Sequence, residues 1–101
     1  MRTRLKPGTR KQQILEAAIG QAHATSYQQM TRDQIADRCA VSRGLITPHY
    51  YPTMGDLRAA VMRAAVERRI LGIVMQGLAA RDPVALAAPD DLKKSVAELL
   101  L

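Results

Sequence analysis

The chain has 101 residues, enough for one small domain and too few for two. Hydrophobic residues make up 48%, but aromatics are only 3%: three Tyr, with no Trp and no Phe. Leu, Ile, Val, Met and Ala must therefore fill the core, a composition suited to packed helices rather than a β-sandwich. The single cysteine, Cys39, excludes an internal disulfide and a thiolate zinc site. No apolar run approaches the roughly 18 residues needed to span a bilayer, and no signal-peptide stretch follows the basic N-terminus, so a cytoplasmic location is expected.

The formal net charge of +6 is unevenly placed. Residues 1–50 carry eight Lys or Arg against three acids (Glu16, Asp33, Asp37), whereas residues 51–101 carry seven against six. A basic half joined to a near-neutral, apolar half predicts a polyanion-binding end and a self-association end.

Residues 1–8 read as a flexible arm: Arg2, Arg4 and Lys6 have no acid to offset them, and Pro7-Gly8 is read as a helix breaker. Such arms contact phosphates or the minor groove. A solvated terminus without a partner is the alternative. Thr9 followed by Gln12 predicts a capping box opening a first helix, with Ile14, Leu15, Ala18, Ile19 and Ala22 on its apolar face. That helix fades near Ala24-Thr25-Ser26, and Tyr27 and Met30 are expected to plug the core.

A second capping box, Thr31 with Gln34, predicts a helix of about eight residues whose apolar face is Ile35, Ala36 and Cys39. Ala40-Val41 interrupts it, and Ser42 is the expected N-cap of a third short helix. In that helix Leu45, Ile46 and Tyr50 face the core, leaving Arg43, Thr47 and His49 outside. After Pro52 and Thr53, the positions Leu57, Val61, Ala64, Ala65, Arg68, Leu71, Met75 and Leu78 keep helical spacing. They predict one helix of some 25 residues across 54–80. Asp82-Pro83 ends it and opens a short helix, and Pro89-Asp90 precedes a last segment from Leu92 to Leu101. The expected fold is all-α: a helix-turn-helix three-helix unit (9–53), then a long helix and short C-terminal helices (54–101).

Segment 31–50 carries most of the functional signal. Two short helices with small Ala36, a tight turn at Ala40, and Val41 and Ile46 locking the crossing match a helix-turn-helix. Its second helix would present outward residues to the major groove. Position 40 commonly has positive φ in such turns, so Ala40 is expected to be strained.

Residues 10–61 resemble the N-terminal DNA-binding domain of the tetracycline-repressor (TetR) family. The likeness rests on Ile14-Leu15-Glu16-Ala17-Ala18, on Ser26-Tyr27-Gln28-Gln29-Met30-Thr31, and on Ile35-Ala36 through Cys39-Ala40-Val41-Ser42-Arg43-Gly44. His49-Tyr50 and Leu57, Ala59 and Val61 extend it without a gap. Ser26 and Ala40 stand where the family has glycines, Thr47-Pro48 where it has aromatics, and Thr53 where a phosphate-binding Lys is frequent.

The resemblance implies a homodimer bound to double-stranded DNA. Thr31 would hold a phosphate at the head of helix 2, and Ser42 and Arg43 would lead the reading helix, with Arg43 on a guanine. Thr47 and Pro48 would approach bases or thymine methyls, His49 a phosphate, and Tyr51 and Thr53 the backbone. Tyr50 is expected in the core. The family's large ligand-binding domain has no counterpart in the roughly forty residues that follow, too few to wall a pocket, so no small-molecule effector is expected. No cofactor, metal or enzymatic role is expected either: His23, His49 and Cys39 lack ligand spacing, no catalytic carboxylate–His arrangement is legible, and there is no Gly-rich phosphate loop. The expected function is a dimeric transcriptional repressor on a palindromic operator, reading it through residues 42–50. The alternative is a protein-interaction adaptor or antitoxin-like module that uses its apolar C-terminal half.

Overall fold

The computed structural model describes residues 7–100, with the backbone alone at Pro7, Gly8, Thr47 and Pro48. Every regular element among the described residues is helical. Helix α1 spans Pro7–Ala24. Proline is compatible with a first helical turn, where its missing N–H leaves no bond unmade. Pro7-Gly8 therefore belongs to the helix rather than to an arm that breaks it, and Thr9 lies within the first turn instead of capping it. The charged residues Arg2, Arg4 and Lys6 lie outside the described residues.

Ile14, Ala18 and Ala22 of α1 are fully buried, and Tyr27 and Met30 fill the core from the connection that follows, as their apolar bulk predicts. Helix α2 (Arg32–Cys39) opens on the expected capping box. Thr31 Oγ1 accepts from the Gln34 N–H at 3.2 Å, and Gln34 Oε1 accepts from the Thr31 N–H at 3.0 Å. Ala40 ends the helix at φ 55°, ψ 30°, the left-handed conformation expected of it, and its N–H donates to the Ala36 carbonyl at 3.0 Å.

Helix α3 (Arg43–Leu45) runs directly into a π turn over Ile46–Tyr50. Ser42 makes no side-chain cap, contrary to expectation; its carbonyl accepts from the Leu45 N–H at 2.9 Å. The widening has a local cause. Pro48 has no N–H to give back to the preceding turn. The turn closes instead from the Tyr51 N–H to the Ile46 carbonyl at 2.9 Å.

The single helix expected over 54–80 is two helices. Helix α4 spans Met54–Arg68 and α5 spans Leu71–Ala79, with Arg69 between them at φ 56°. The Ile70 N–H reaches back to the Ala65 carbonyl at 2.9 Å, the six-to-one bond of a Schellman ending. A straight rod would hold Ile73, Val74 and Gly77 away from the core; folding back buries all three. Each buried aliphatic side chain is worth about 1.5–3 kcal/mol, more than the roughly 1–2 kcal/mol of a left-handed arginine.

A second ending of the same kind follows α5, with Arg81 at φ 57° and the Asp82 N–H on the Gly77 carbonyl at 2.8 Å. Asp82 then caps α6 (Pro83–Leu86) through Oδ1 on the Val84 N–H at 2.8 Å, as Asp82-Pro83 predicts. Helix α7 (Asp90–Glu98) closes the described chain and buries Leu92 and Val96. Helix α1 packs on α2 and α4, while α5 packs on α4, α6 and α7. The α1–α2 connection is tied to the far elements by polar bonds: Tyr27 donates its N–H to Gln76 Oε1 (2.9 Å), and Gln76 Nε2 donates to the Ala22 carbonyl (3.1 Å).

Candidate nucleic-acid interface

Helix α2, the Ala40–Ser42 turn and the head of α3 border an open groove of about 510 Å³, lined by Asp33, Ala36, Asp37, Ala40, Val41, Ser42 and Arg43. Beneath it, Ile35, Val41 and Ile46 are buried at 0%, 4% and 0% exposure and fix one segment against the other. Ser42 and Arg43 of the groove are exposed, as are Thr31, Gly44 and His49 outside its lining. The structure thus brings Thr31, Ser42, Arg43 and His49 to solvent. Thr47 and Pro48 lie in the π turn, their side chains outside the described residues.

Arg43 is held. Its Nη1 donates to both carboxylate oxygens of Asp33, at 3.0 and 3.1 Å, and the bond and charge of Asp33 raise the guanidinium pKa further above its ordinary value. Sequence spacing gave no sign of this pair, because the two residues lie ten positions apart on either side of a turn. Thr31 is occupied on one side only: its oxygen caps α2, and its hydroxyl hydrogen has no acceptor among the described residues. The ring of His49 meets that of Tyr50 edge to face, with centroids 4.6 Å apart.

Tyr51 and Thr53, both expected to contact the DNA backbone, have partners within the chain. Tyr51 is buried at 6% exposure, its hydroxyl donates toward the Lys11 carbonyl at 3.5 Å, and Lys11 Nζ sits 5.1 Å from its ring centroid. Burial pushes its phenol pKa up. Tyr50, expected in the core, is only partly buried. The π turn explains the exchange: one extra residue per turn places Tyr51 rather than Tyr50 above buried Ile46. Thr53 is the N-cap of α4, and both its donors, N–H and O–H, rest on Asp56 Oδ2 at 3.1 Å. It offers a phosphate neither donor while that cap stands.

Among the described residues no group of three or more His, Cys, Asp or Glu is placed to share a metal ion. No described helix is long and apolar enough to cross a membrane. The chain matches no protein-family model, no curated protein and no solved structure.

Proposed function

We propose that this protein is a sequence-specific, dimeric DNA-binding repressor, with α2, the Ala40 turn and α3 acting as a helix-turn-helix of the tetracycline-repressor kind. The observation that carries it is the left-handed Ala40 between a capped α2 and a short α3 whose Arg43 is exposed over a shared floor of Ile35, Val41 and Ile46. An α3 seated in the major groove would bring Arg43 to base edges, with Thr31 and His49 flanking it toward phosphates. Asp33 and Asp37 on α2 oppose a deep approach of that helix to phosphates, which favours α3 as the inserted element.

Exposed Leu86, Leu99 and Leu100, at 49%, 55% and 70%, give the C-terminal elements an apolar surface for a second copy. A long unbroken helix is not what supplies it, since α4 spends Leu57, Val61, Met62 and Ala65 on the chain's own core. In an adaptor the same leucines would meet a different protein.

Selection of bound sequences from a random duplex pool tests the proposal. A near-palindromic motif with half-sites about one DNA turn (roughly 34 Å) apart is expected, bound by two chains. A stable monomer at micromolar concentration in light scattering would contradict the dimer. Salt-insensitive, negligible binding to heparin and to any duplex would favour the adaptor.

A further inference from the structure

We infer that Asp33 is a positioning residue that sets the specificity of Arg43, an inference that rests on the DNA-binding function proposed above. One guanidinium nitrogen, Nη1, spends its contact on both oxygens of Asp33, at 3.0 and 3.1 Å. The remaining pair of donors, Nε and Nη2, has no partner among the described residues. Those two form the parallel fork that matches guanine O6 and N7. Asp33 therefore fixes the arginine by one corner and leaves free the edge that reads a base.

The second element is charge. The Arg43 and Asp33 side chains are 69% and 62% exposed, so the carboxylate stands in solvent where a duplex would arrive. A duplex with guanine in register engages the free edge and leaves the pair intact. A duplex without it leaves Arg43 only phosphates to contact, and an anionic phosphate drawn to that edge is repelled by the neighbouring Asp33 carboxylate, whereas a neutral base edge is not. Asp33 thus weakens binding to wrong sequences more than to the right one, which is how a repulsive group generates discrimination. It also limits the rotamers Arg43 must give up on binding.

The test compares wild type with Asp33→Asn, Asp33→Glu and Arg43→Ala, each first shown by circular dichroism to be helical. Each is carried through selection from a random duplex pool and through titration of one selected and one unrelated duplex at several salt concentrations. Asp33→Asn is expected to bind the unrelated duplex more tightly and to lower the ratio of selected to unrelated affinity by about two- to fivefold, the range an exposed ion pair supplies. Its salt dependence should steepen by about one ion, because a cation formerly matched by Asp33 now faces phosphate. The motif should lose preference at the same base pair that Arg43→Ala relaxes, and Asp33→Glu, which keeps the charge, should recover it.

If wild type and Asp33→Asn enrich the same motif equally while Arg43→Ala relaxes it, Asp33 does not position Arg43 and DNA reading by Arg43 stands. If wild type enriches no motif, the proposed function fails and this inference fails with it.

Discussion

Tyr27 and Asp82, 55 residues apart, are joined by a 3.0 Å hydrogen bond from the phenol to Oδ2. The other oxygen of Asp82 caps α6, so each carboxylate oxygen has its own partner. With the bonds through Gln76, this contact ties the connection ahead of α2 to the α5–α6 corner.

Tyr27→Phe should therefore destabilise the fold by about 1 kcal/mol, since one partly buried hydrogen bond is lost without a change in ring volume. Alkaline pH gives an independent readout. Burial first, then the bond and charge of Asp82, push the Tyr27 pKa up to about 12. The fold thus holds the phenol proton more tightly than the unfolded chain does. That contribution is complete below pH of about 10 and is lost as pH rises toward 12. Denaturant titrations across this window should show a steeper loss of stability in wild type than in Tyr27→Phe. Tyr51 is common to both proteins, so equal slopes would refute the assignment.

Ala40, Arg69 and Arg81 all have φ between 55° and 57°, and among the described residues no glycine has a positive φ. Ala40→Gly should change stability by zero to about +1 kcal/mol, because relief of the β-carbon strain is partly offset by the freer unfolded chain. Arg81→Gly should behave alike. Arg69→Gly should gain less, since Arg69 also bonds Asp91 at 2.8 Å. Chemical denaturation of the three variants checks both the sign and the order, and a fall in midpoint for Ala40→Gly would count against the strain.

Two helical glycines should respond in opposite directions to the same substitution. A β-carbon at Gly77 would stand 2.7 Å from the Ala85 Cβ and 2.6 Å from the Met62 Cε. The methionine tail can move, but Ala85 is fixed to its backbone, so Gly77→Ala should cost about 1–3 kcal/mol. At Gly72 a β-carbon meets nothing within 4 Å. Gly72→Ala should stabilise by about 0.5–1 kcal/mol through helix propensity alone. Thermal midpoints of the pair measure how closely α5 crosses α4 and α6.

Thr31 is expected to cap a helix and to hold a phosphate, and two substitutions separate these roles. Thr31→Ala should lower stability by about 1 kcal/mol and weaken DNA binding as well. Thr31→Asp keeps a good capping oxygen, so stability should hold, while its charge repels phosphate and reduces affinity for all duplexes alike. Unchanged affinity in a stable Thr31→Asp protein would remove Thr31 from the interface.

Local signals were legible at some helix starts and not at others: Thr9 lies inside α1 and Ser42 makes no side-chain cap. Thr31 with Gln34 and Asp82 with Pro83 mark helix starts because the bonds they make span two or three residues. Ile14, Ile35, Val41 and Ile46 mark the core because burial follows their spacing. The breaks were not legible, since neither Gly nor Pro stands at Arg69-Ile70 and the reason to stop α4 lies in what α5 buries by folding back. The fate of Tyr50 and Tyr51 was hidden for a related reason: an α-helical period continued through Pro48 gives the wrong phase by one residue. At the candidate site, Arg43 could be named from its position, but its partner Asp33 becomes visible only once the turn has brought the two helices together.

The three tyrosines also make the chain optically simple. With no tryptophan to accept their excitation energy, ultraviolet emission arises from Tyr27, Tyr50 and Tyr51 alone. Each reports a different place: Tyr27 the joint between the α1–α2 connection and the α5–α6 corner, Tyr51 the contact with α1, and Tyr50 the surface beside His49. Single tyrosine-to-phenylalanine replacements would therefore dissect an unfolding transition into its regions without any label, the sequence having left the spectrum nearly empty.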